Sequence, residues 1–275
     1  MDLNIVIVNW KAKEDIRRCL ESLFWDLEGS GLDFLVQVVD NSGNRDGIKE
    51  MLGEEFPKVR YWDSGGNIGF GKAQNLALKK EEARYYLPLN PDIYFTENRG
   101  AIKELIKVLE KREKIGMIAP KLLNSDGSLQ HSCCRFPGFL DQIARRLGWD
   151  QKSKFFKKRV DKYLMRDFDH KQSAAVDWVM GSFILIRGQA AQEAGFFDER
   201  FFMYFEDCDL CRRFWEKDWK VYYYPEVQVQ HGHRRDSASE NPFKSIFKNS
   251  IARTHLKSWL KYFFKWGFRK KRFGK

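Results

Sequence analysis

Four short stretches of this chain carry side chains able to do chemistry. In Leu89-Asn90-Pro91-Asp92 a carboxylate sits in a tight proline turn behind an apolar run. Such a group suits Mg²⁺ or Mn²⁺, hard cations that take oxygen ligands and keep water and phosphate oxygens in their shell. One carboxylate suffices where a diphosphate supplies the remaining oxygens; a plain β-turn with a capping Asp accounts for the same residues. Asp40 follows Leu35-Val36-Gln37-Val38-Val39, where a carboxylate accepts hydrogen bonds from a base N–H or a ribose hydroxyl, or initiates an Asx turn. Glu206, Asp207 and Asp209 follow the aromatic run Phe201–Phe205. Aromatic walls exclude water and raise a carboxylate pKa, which suits a general base acting on a hydroxyl. An acidic first helical turn favoured by the helix dipole is the alternative. His231-Gly232-His233 offers neutral imidazole, a good metal ligand, although a lone histidine is also an ordinary structural residue.

The elements around these stretches follow from hydrophobic periodicity. Leu3–Val8, Phe34–Val39, Val59–Trp62 and Tyr85–Leu89 read as strands. Helical spacing covers Lys13–Leu27, weakly Gly47–Phe56, and a stretch from the turn Gly65-Gly66-Asn67-Ile68-Gly69 to about Lys80. A further helix is expected from a Thr96 cap to about Lys111. Strand and helix alternate four times, which predicts a doubly wound, largely parallel sheet. Ligands bind beyond the carboxyl ends of such strands, and Asn9, Asp40-Asn41 and Asn90–Asp92 all fall there. The second half is less regular. Gly116–Leu122, Ser128–Phe136 and Val176–Ile186 read as strands, 140–172 as a polar, basic, helical or loose stretch, and Glu206–Lys217 as a short helix. Val221–Tyr224 and Val227–Gln230 read as two strands broken by Pro225.

Several chemistries fit poorly. The glycines of Gly66-Asn67-Ile68-Gly69-Phe70-Gly71 fall as G-x-x-G-x-G after the third strand, whereas a dinucleotide fingerprint is G-x-G-x-x-G after the first. No G-K-[ST] occurs, so there is no Walker A loop. Cys208-Asp209-Leu210-Cys211 has C-x-x-C spacing, but only Cys133 and Cys134 could complete a zinc site. The five cysteines read as core thiols of a reducing cytosol.

The chain has 275 residues and a net charge of +11, and the charge is placed unevenly. Eleven Lys and Arg lie from Lys244 onward with no Asp or Glu after Glu240, so residues 1–243 are neutral as a whole. A basic end seeks an anionic partner. Leu256, Trp259, Tyr262, Phe263 and Trp266 share one broad helical face, with Lys257, Lys261 and Lys265 opposite. This pattern suits an anionic membrane interface; a helix packed on the domain is the alternative. Nucleic acid is disfavoured, since no nucleic-acid motif accompanies the aromatics and basics. The N-terminus has no basic n-region and no cleavage site, and no run reaches the length of a spanning helix. The expected location is cytoplasmic, peripheral on the inner face of the plasma membrane.

The order of these pieces resembles the family 2 glycosyltransferases, in particular their rhamnosyltransferase-like branch in bacterial surface polysaccharide assembly. It rests on Ile5–Trp10, Val38-Val39-Asp40-Asn41-Ser42, Gly66–Asn75, Leu89–Asp92, Asp177–Ser182, Gly195–Glu199, Phe205–Arg213 and His231, spanning roughly 3–235. The resemblance implies a GT-A-type, Rossmann-like α/β fold over 1–240, with a nucleotide-sugar half to about 115 and an acceptor half beyond it; the basic aromatic helical tail read from the charge pattern takes up 241–275. It implies that Asp40 reads the nucleotide base, with Asn9 against the base or ribose and Asn67 and Asn75 shaping the donor pocket. Asn90-Pro91-Asp92 is similar to the family's Asp-x-Asp motif, with Asn90 replacing its first acid and Asp92 as the metal ligand. His231 is similar to a late histidine that completes the metal or diphosphate site, and the expected cofactor is Mg²⁺ or Mn²⁺. Asp207, beside Glu206, corresponds to the general base. Gly181 and Ser182 would line the cleft with Trp178 nearby, and Arg212 would assist electrostatically. The Gly232-His233-Arg234-Arg235 stretch departs from the family's Gly-rich segment. The implied reaction is inverting transfer of a sugar, rhamnose from dTDP-rhamnose, to a saccharide or a polyprenyl-diphosphate-linked acceptor. A UDP-sugar donor, or a catalytically silent nucleotide- or sugar-binding module, are the alternatives; the oligomeric state is left open.

Overall fold

A computed structural model describes residues 1–97, 99–232, 250–267 and 273. The first half alternates as the periodicity requires: β1 (Leu3–Asn9), α1 (Lys13–Leu27), β2 (Phe34–Asp40), α2 (Ile48–Glu55), β3 (Arg60–Asp63), α3 (Phe70–Leu78), β4 (Tyr85–Leu89), β5 (Ile93–Tyr94) and α4 (Ala101–Lys111). The second half holds β6 (Ile115–Leu123), β7 (Leu129–Gln130), β8 (Cys133–Cys134), α5 (Phe139–Arg146), α6 (Trp149–Lys152), α7 (Lys154–Tyr163), β9 (Ala174–Ala175) and β10 (Trp178–Val179). It continues with β11 (Leu185–Arg187), α8 (Gly188–Ala194), α9 (Glu206–Glu216), β12 (Lys220–His231) and α10 (Ser250–Trp266).

The main sheet runs β3-β2-β1-β4-β11-β6-β12-β5. β3, β2, β1 and β4 are parallel. β11 enters antiparallel between β4 and β6, and β12 is again parallel to β6. Every residue of β1 is buried, as expected of a strand covered on both faces. Ile5, Ile7, Val38 and Leu87 pack with Ile16, Leu20 and Leu23 of α1 on one side. Val6, Val8, Val39 and Tyr86 pack with Ala73 and Ala77 of α3 on the other. All five cysteines are free and buried.

The structure departs from the sequence expectations in the following respects. The helix expected from Thr96 begins at Ala101, because the buried Asp26 carboxylate on α1 receives the Ala101 N–H at 2.7 Å and the Ile102 N–H at 3.1 Å. The strand expected over Val176–Ile186 is interrupted by a turn at Met180–Ser182. Pro225 does not break the last strand: β12 runs through it, and the irregularity is absorbed as a register shift against β6 between Tyr224 and Gln228. Over 140–172 the helical one of the two expected readings holds for most of the stretch, as α5 to α7 around a small core of Ala144, Val160, Tyr163 and Leu164.

The tail needs a correction as well. The aromatic face expected to lie on lipid is largely consumed by the domain, with Trp259, Tyr262 and Phe263 buried. The cause is a set of partners invisible on a helical wheel. Phe139 of α5 meets Trp259 and Phe263, and the Asp209 carboxylate receives Trp266 Nε1 at 2.7 Å and Lys265 Nζ at 2.6 Å. Lys244, Lys248 and the basic cluster Arg269–Arg272 lie outside the described residues, as do His233, Arg234 and Arg235.

Candidate active site

Beyond the carboxyl ends of the central strands lies a cavity of about 330 Å³. Seven of the residues singled out above line it: Asn90, Trp178, Gly181, Ser182, Glu206, Asp207 and His231. The turn after β4 and the turn after β10 are tied together, because Asn90 N donates to Ser182 O at 2.8 Å.

Asp207 stands on the first turn of α9. Its Oδ2 accepts the Gly181 N–H at 2.9 Å and its Oδ1 the Cys208 N–H at 2.7 Å. Gly181 packs closely here: a Cβ there would lie 3.1 Å from Asp207 Cβ, tighter than an ordinary contact. Burial pushes the Asp207 carboxyl above its ordinary value, and the two backbone donors partly oppose this. Glu206 is pushed much further, first by burial and then by the Asp207 charge; its Oε2 has no hydrogen-bond partner among the described residues. Of the adjacent pair, Asp207 therefore carries the charge and Glu206 the proton. The entry to α9 is strained, since Tyr204 and Phe205 have φ of 70° and 67°. Left-handed backbone costs a non-glycine residue about 1–2 kcal/mol, and such strain gathers at functional sites.

His231 also lines the cavity, and β5 pairs with β12 so that His231 faces Ile93, the residue after Asp92. His231 Nε2 lies 3.2 Å from Asp92 Oδ1, and Nδ1 lies 2.7 Å from Gln130 Oε1. An amide oxygen accepts, so Nδ1 donates to Gln130 and Nε2 is the ring nitrogen that faces the Asp92 carboxylate. Adjacent ligands of an octahedral Mg²⁺ site, each at about 2.1 Å, stand about 3 Å apart, and the Gln130 bond is the orienting contact that metal-binding histidines use. The pair therefore fits a divalent cation. Among the described residues no group of three or more His, Cys, Asp and Glu forms a metal cage, so other oxygens would have to complete the shell.

A second cluster lies at the ends of β1 and β2. Asn9 Nδ2 donates to Asp40 Oδ1 at 3.0 Å and to Asp46 Oδ1 at 3.2 Å. Asp40 also accepts from Ser42 Oγ at 2.7 Å and Tyr61 OH at 3.1 Å, and from the Asn44 N–H. Burial alone would raise the Asp40 carboxyl, but the donors from Ser42, Asn44 and Asn9 outweigh it and hold it below its ordinary value. Asn67 Oδ1 receives Asn41 Nδ2 at 3.1 Å, and its turn is pinned by Gly69, with φ of 90° and a would-be Cβ 2.4 Å from Phe202 O.

Two expected pocket residues are used elsewhere. Asn75 is buried and bonds the Phe197 carbonyl at 2.8 Å and Glu199 at 2.9 Å, fixing the loop before α9. Arg212 is not among the cavity-lining residues: its guanidinium packs 4.6 Å from the Trp266 ring centre and 3.4 Å from Tyr262 OH, so it anchors α10. The reason is helical geometry, since Arg212 is five positions from Asp207 and faces α10. Sequence reading missed Tyr61, Asp46 and Gln130, and also Gln142, Arg145, Tyr163 and His255, which line the cavity. The two basic and two polar lining residues come from α5, α7 and α10, elements with no local motif to mark them.

The Glycosyl transferase family 2 model matches residues 4–207, and the Glycosyl transferase family group 2 model matches 151–272. The chain belongs to glycosyl transferase family 2. Among relatives of this family 2 chain, the N-acetylglucosaminyl-diphospho-decaprenol L-rhamnosyltransferase of Mycobacterium tuberculosis is 28% identical over 87% of the chain and 78% of the relative. Rhamnosyltransferase WbbL of Escherichia coli K12 is 28% identical over 94% and 91%. Solved structures share the fold. S. aureus TarS 1–349 matches with a TM-score of 0.54 at 14% identity, over 98% of this chain and 74% of that one. GalNAc-T7 with UDP, GalNAc and Mn²⁺ matches with a TM-score of 0.61 at 13% identity, over 95% and 47%. The fold of this family 2 glycosyltransferase is thus of the GT-A type, a mostly parallel sheet flanked by helices.

Proposed function

We propose that this family 2 glycosyltransferase moves rhamnose from dTDP-rhamnose, with inversion, to a saccharide carried on a polyprenyl diphosphate during bacterial surface polysaccharide assembly. The observation that carries the reading is the union of two chemistries in one cavity: Asp207 lines it, and so does His231, 3.2 Å from Asp92. The relatives named above supply the sugar and the lipid-linked acceptor.

In this reading the base-and-ribose cluster at Asn9, Asp40 and Asn67 holds the nucleotide, and Asn90, Trp178, Gly181 and Ser182 hold the sugar and acceptor. Residues to about 115 bind the donor, and the remainder up to about 240 the acceptor. Asp207 takes the proton of the acceptor hydroxyl as that oxygen attacks the anomeric carbon and the bond to the diphosphate oxygen breaks. Asp92 and His231 would hold Mg²⁺ or Mn²⁺, which when bound neutralises charge on the departing diphosphate.

The protein then works on the inner face of the membrane, where its tail meets anionic lipid. With the aromatic face of α10 buried, the outer face remains: Leu256, Leu260 and Phe264 form an exposed stripe at fourfold spacing beside Arg253, Lys257 and Lys261. That arrangement suits the interfacial depth of a bilayer. No helix among the described residues is long and apolar enough to cross a membrane.

Calorimetry with dTDP, UDP and GDP, with and without Mn²⁺, tests the donor assignment. Tight Mn²⁺-enhanced dTDP binding is expected. A preference for UDP, the nucleotide in the GalNAc-T7 structure, would replace the donor while keeping the enzyme class. No binding of any nucleotide would overturn the reading.

A further inference from the structure

α5 places Gln142 and Arg145 in the wall of the catalytic cavity, and α10 adds His255. The three line the same cavity as Asn90, Asp207 and His231. Arg145 is exposed, and its guanidinium forms no hydrogen bond or ion pair among the described residues. Its acidic neighbours are already engaged. Asp141, on the same helix, is fully buried against Arg159 at 2.8 Å, and Asp161 of α7 pairs with Lys157 at 3.0 Å and Arg166 at 2.7 Å. Gln142 is held in place by its Nε2, 2.5 Å from Tyr163 OH, which leaves its amide oxygen turned to other partners. A planar guanidinium left unpaired in a cavity wall is suited to bidentate binding of phosphate oxygens.

We propose that Arg145, supported by His255, binds the diphosphate that joins the acceptor saccharide to its lipid, and so sets the enzyme's preference for diphosphate-linked acceptors. This deepens the reading given under Proposed function and rests on it. A saccharide whose hydroxyl reaches Asp207 would have its diphosphate lying outward along the α5 wall, with the lipid beyond it toward the basic, apolar faces of α5–α7 and α10. Exposed Trp149 and Phe155 lie on that side together with Lys152, Lys154, Lys157 and Lys158.

The test compares two acceptors in neutral detergent, which excludes anionic headgroups as the source of phosphate: the sugar on a short polyprenyl diphosphate, and the same sugar as a neutral alkyl glycoside. Arg145→Ala should lower kcat/KM for the diphosphate acceptor about tenfold to a hundredfold, the usual worth of a charge-assisted bond. The loss should fall mainly in KM, leave the neutral acceptor within about twofold, and leave nucleotide affinity by calorimetry unchanged. Arg145→Lys should recover part of the loss. Equal loss on both acceptors, or weakened nucleotide binding, would overturn the proposal, because it would make Arg145 structural or a donor ligand. Unimpaired use of the diphosphate acceptor by the Ala variant would overturn it too. In each of these outcomes, transfer to the neutral glycoside by the unmodified enzyme still tests the transferase reading separately.

Discussion

Asp207 Oδ2 accepts the backbone N–H of Gly181 at 2.9 Å, which joins the start of α9 to a turn 26 residues earlier in the chain. With the Cys208 N–H on Oδ1, that bond orients a carboxylate that lines the cavity, and the missing Cβ of Gly181 leaves room for the approach. A methyl group at Gly181 would press on Asp207 Cβ at 3.1 Å and turn the carboxylate away. Gly181→Ala is expected to reduce kcat by at least tenfold with nucleotide affinity unchanged, measured by initial rates beside calorimetry.

The adjacent carboxyls make opposite pH predictions. Asp207 must be ionised to take a proton, and burial raises its carboxyl above the ordinary 3.8. The acidic limb of kcat should therefore rise through a midpoint above that value and flatten at higher pH. Glu206, protonated in the folded state, should behave as a neutral neighbour. Glu206→Gln is then expected to leave that limb in place; a shift of the limb to lower pH by a full unit would mean that Glu206 is charged beside Asp207.

The same residue predicts a stability effect. Glu206 has a raised folded-state value and an ordinary unfolded one, so between them the folded chain holds a proton that the unfolded chain releases. Stability falls as pH rises through that window. Glu206→Gln removes the group and should raise the melting temperature at pH 7–8, with the difference disappearing near pH 4, where both states of the wild type are protonated. Thermal scans across pH measure this directly.

The first half of the fold was legible because its strands are buried on both faces and its helices are amphipathic, and both patterns are local. β1, β2 and β4 and the helices between them fall within one or two residues of where periodicity puts them. The start of α4 was not legible, since its cap is Asp26, 75 residues away from Ala101. The turn that carries Gly181 was hidden in an apolar run that reads as continuous strand. Asn90, Asp92, Asp207 and His231 stood out because acids and imidazoles at strand ends and helix starts are chemically conspicuous. Gln130, Gln142, Arg145 and His255 did not, because nothing about their local sequence sets them apart from solvated surface. Arg212 differs for the converse reason: its neighbours in sequence are chemically conspicuous acids, but its side chain follows the helix to the opposite face and meets Trp266.

Lys265, Trp266 and Asp209 form the latch of α10, with Asp209 fully buried. Asp209→Ala leaves Lys265 and Arg213 without a shared carboxylate. Removing one partner of a buried pair costs on the order of 3–5 kcal/mol. The variant should unfold at a clearly lower denaturant midpoint, whereas Phe264→Ser on the exposed face, where Phe264 is 78% accessible, should leave that midpoint unchanged.

The most direct measurement is single-turnover transfer by Asp207→Asn at saturating donor, read beside dTDP affinity and Mn²⁺ affinity of the same protein. Transfer should fall by about 10²–10⁴, the range typical of a lost general base, while both affinities stay at wild-type values. Transfer within a few-fold of wild type would contradict that role, because the proton of the acceptor hydroxyl would then be going elsewhere.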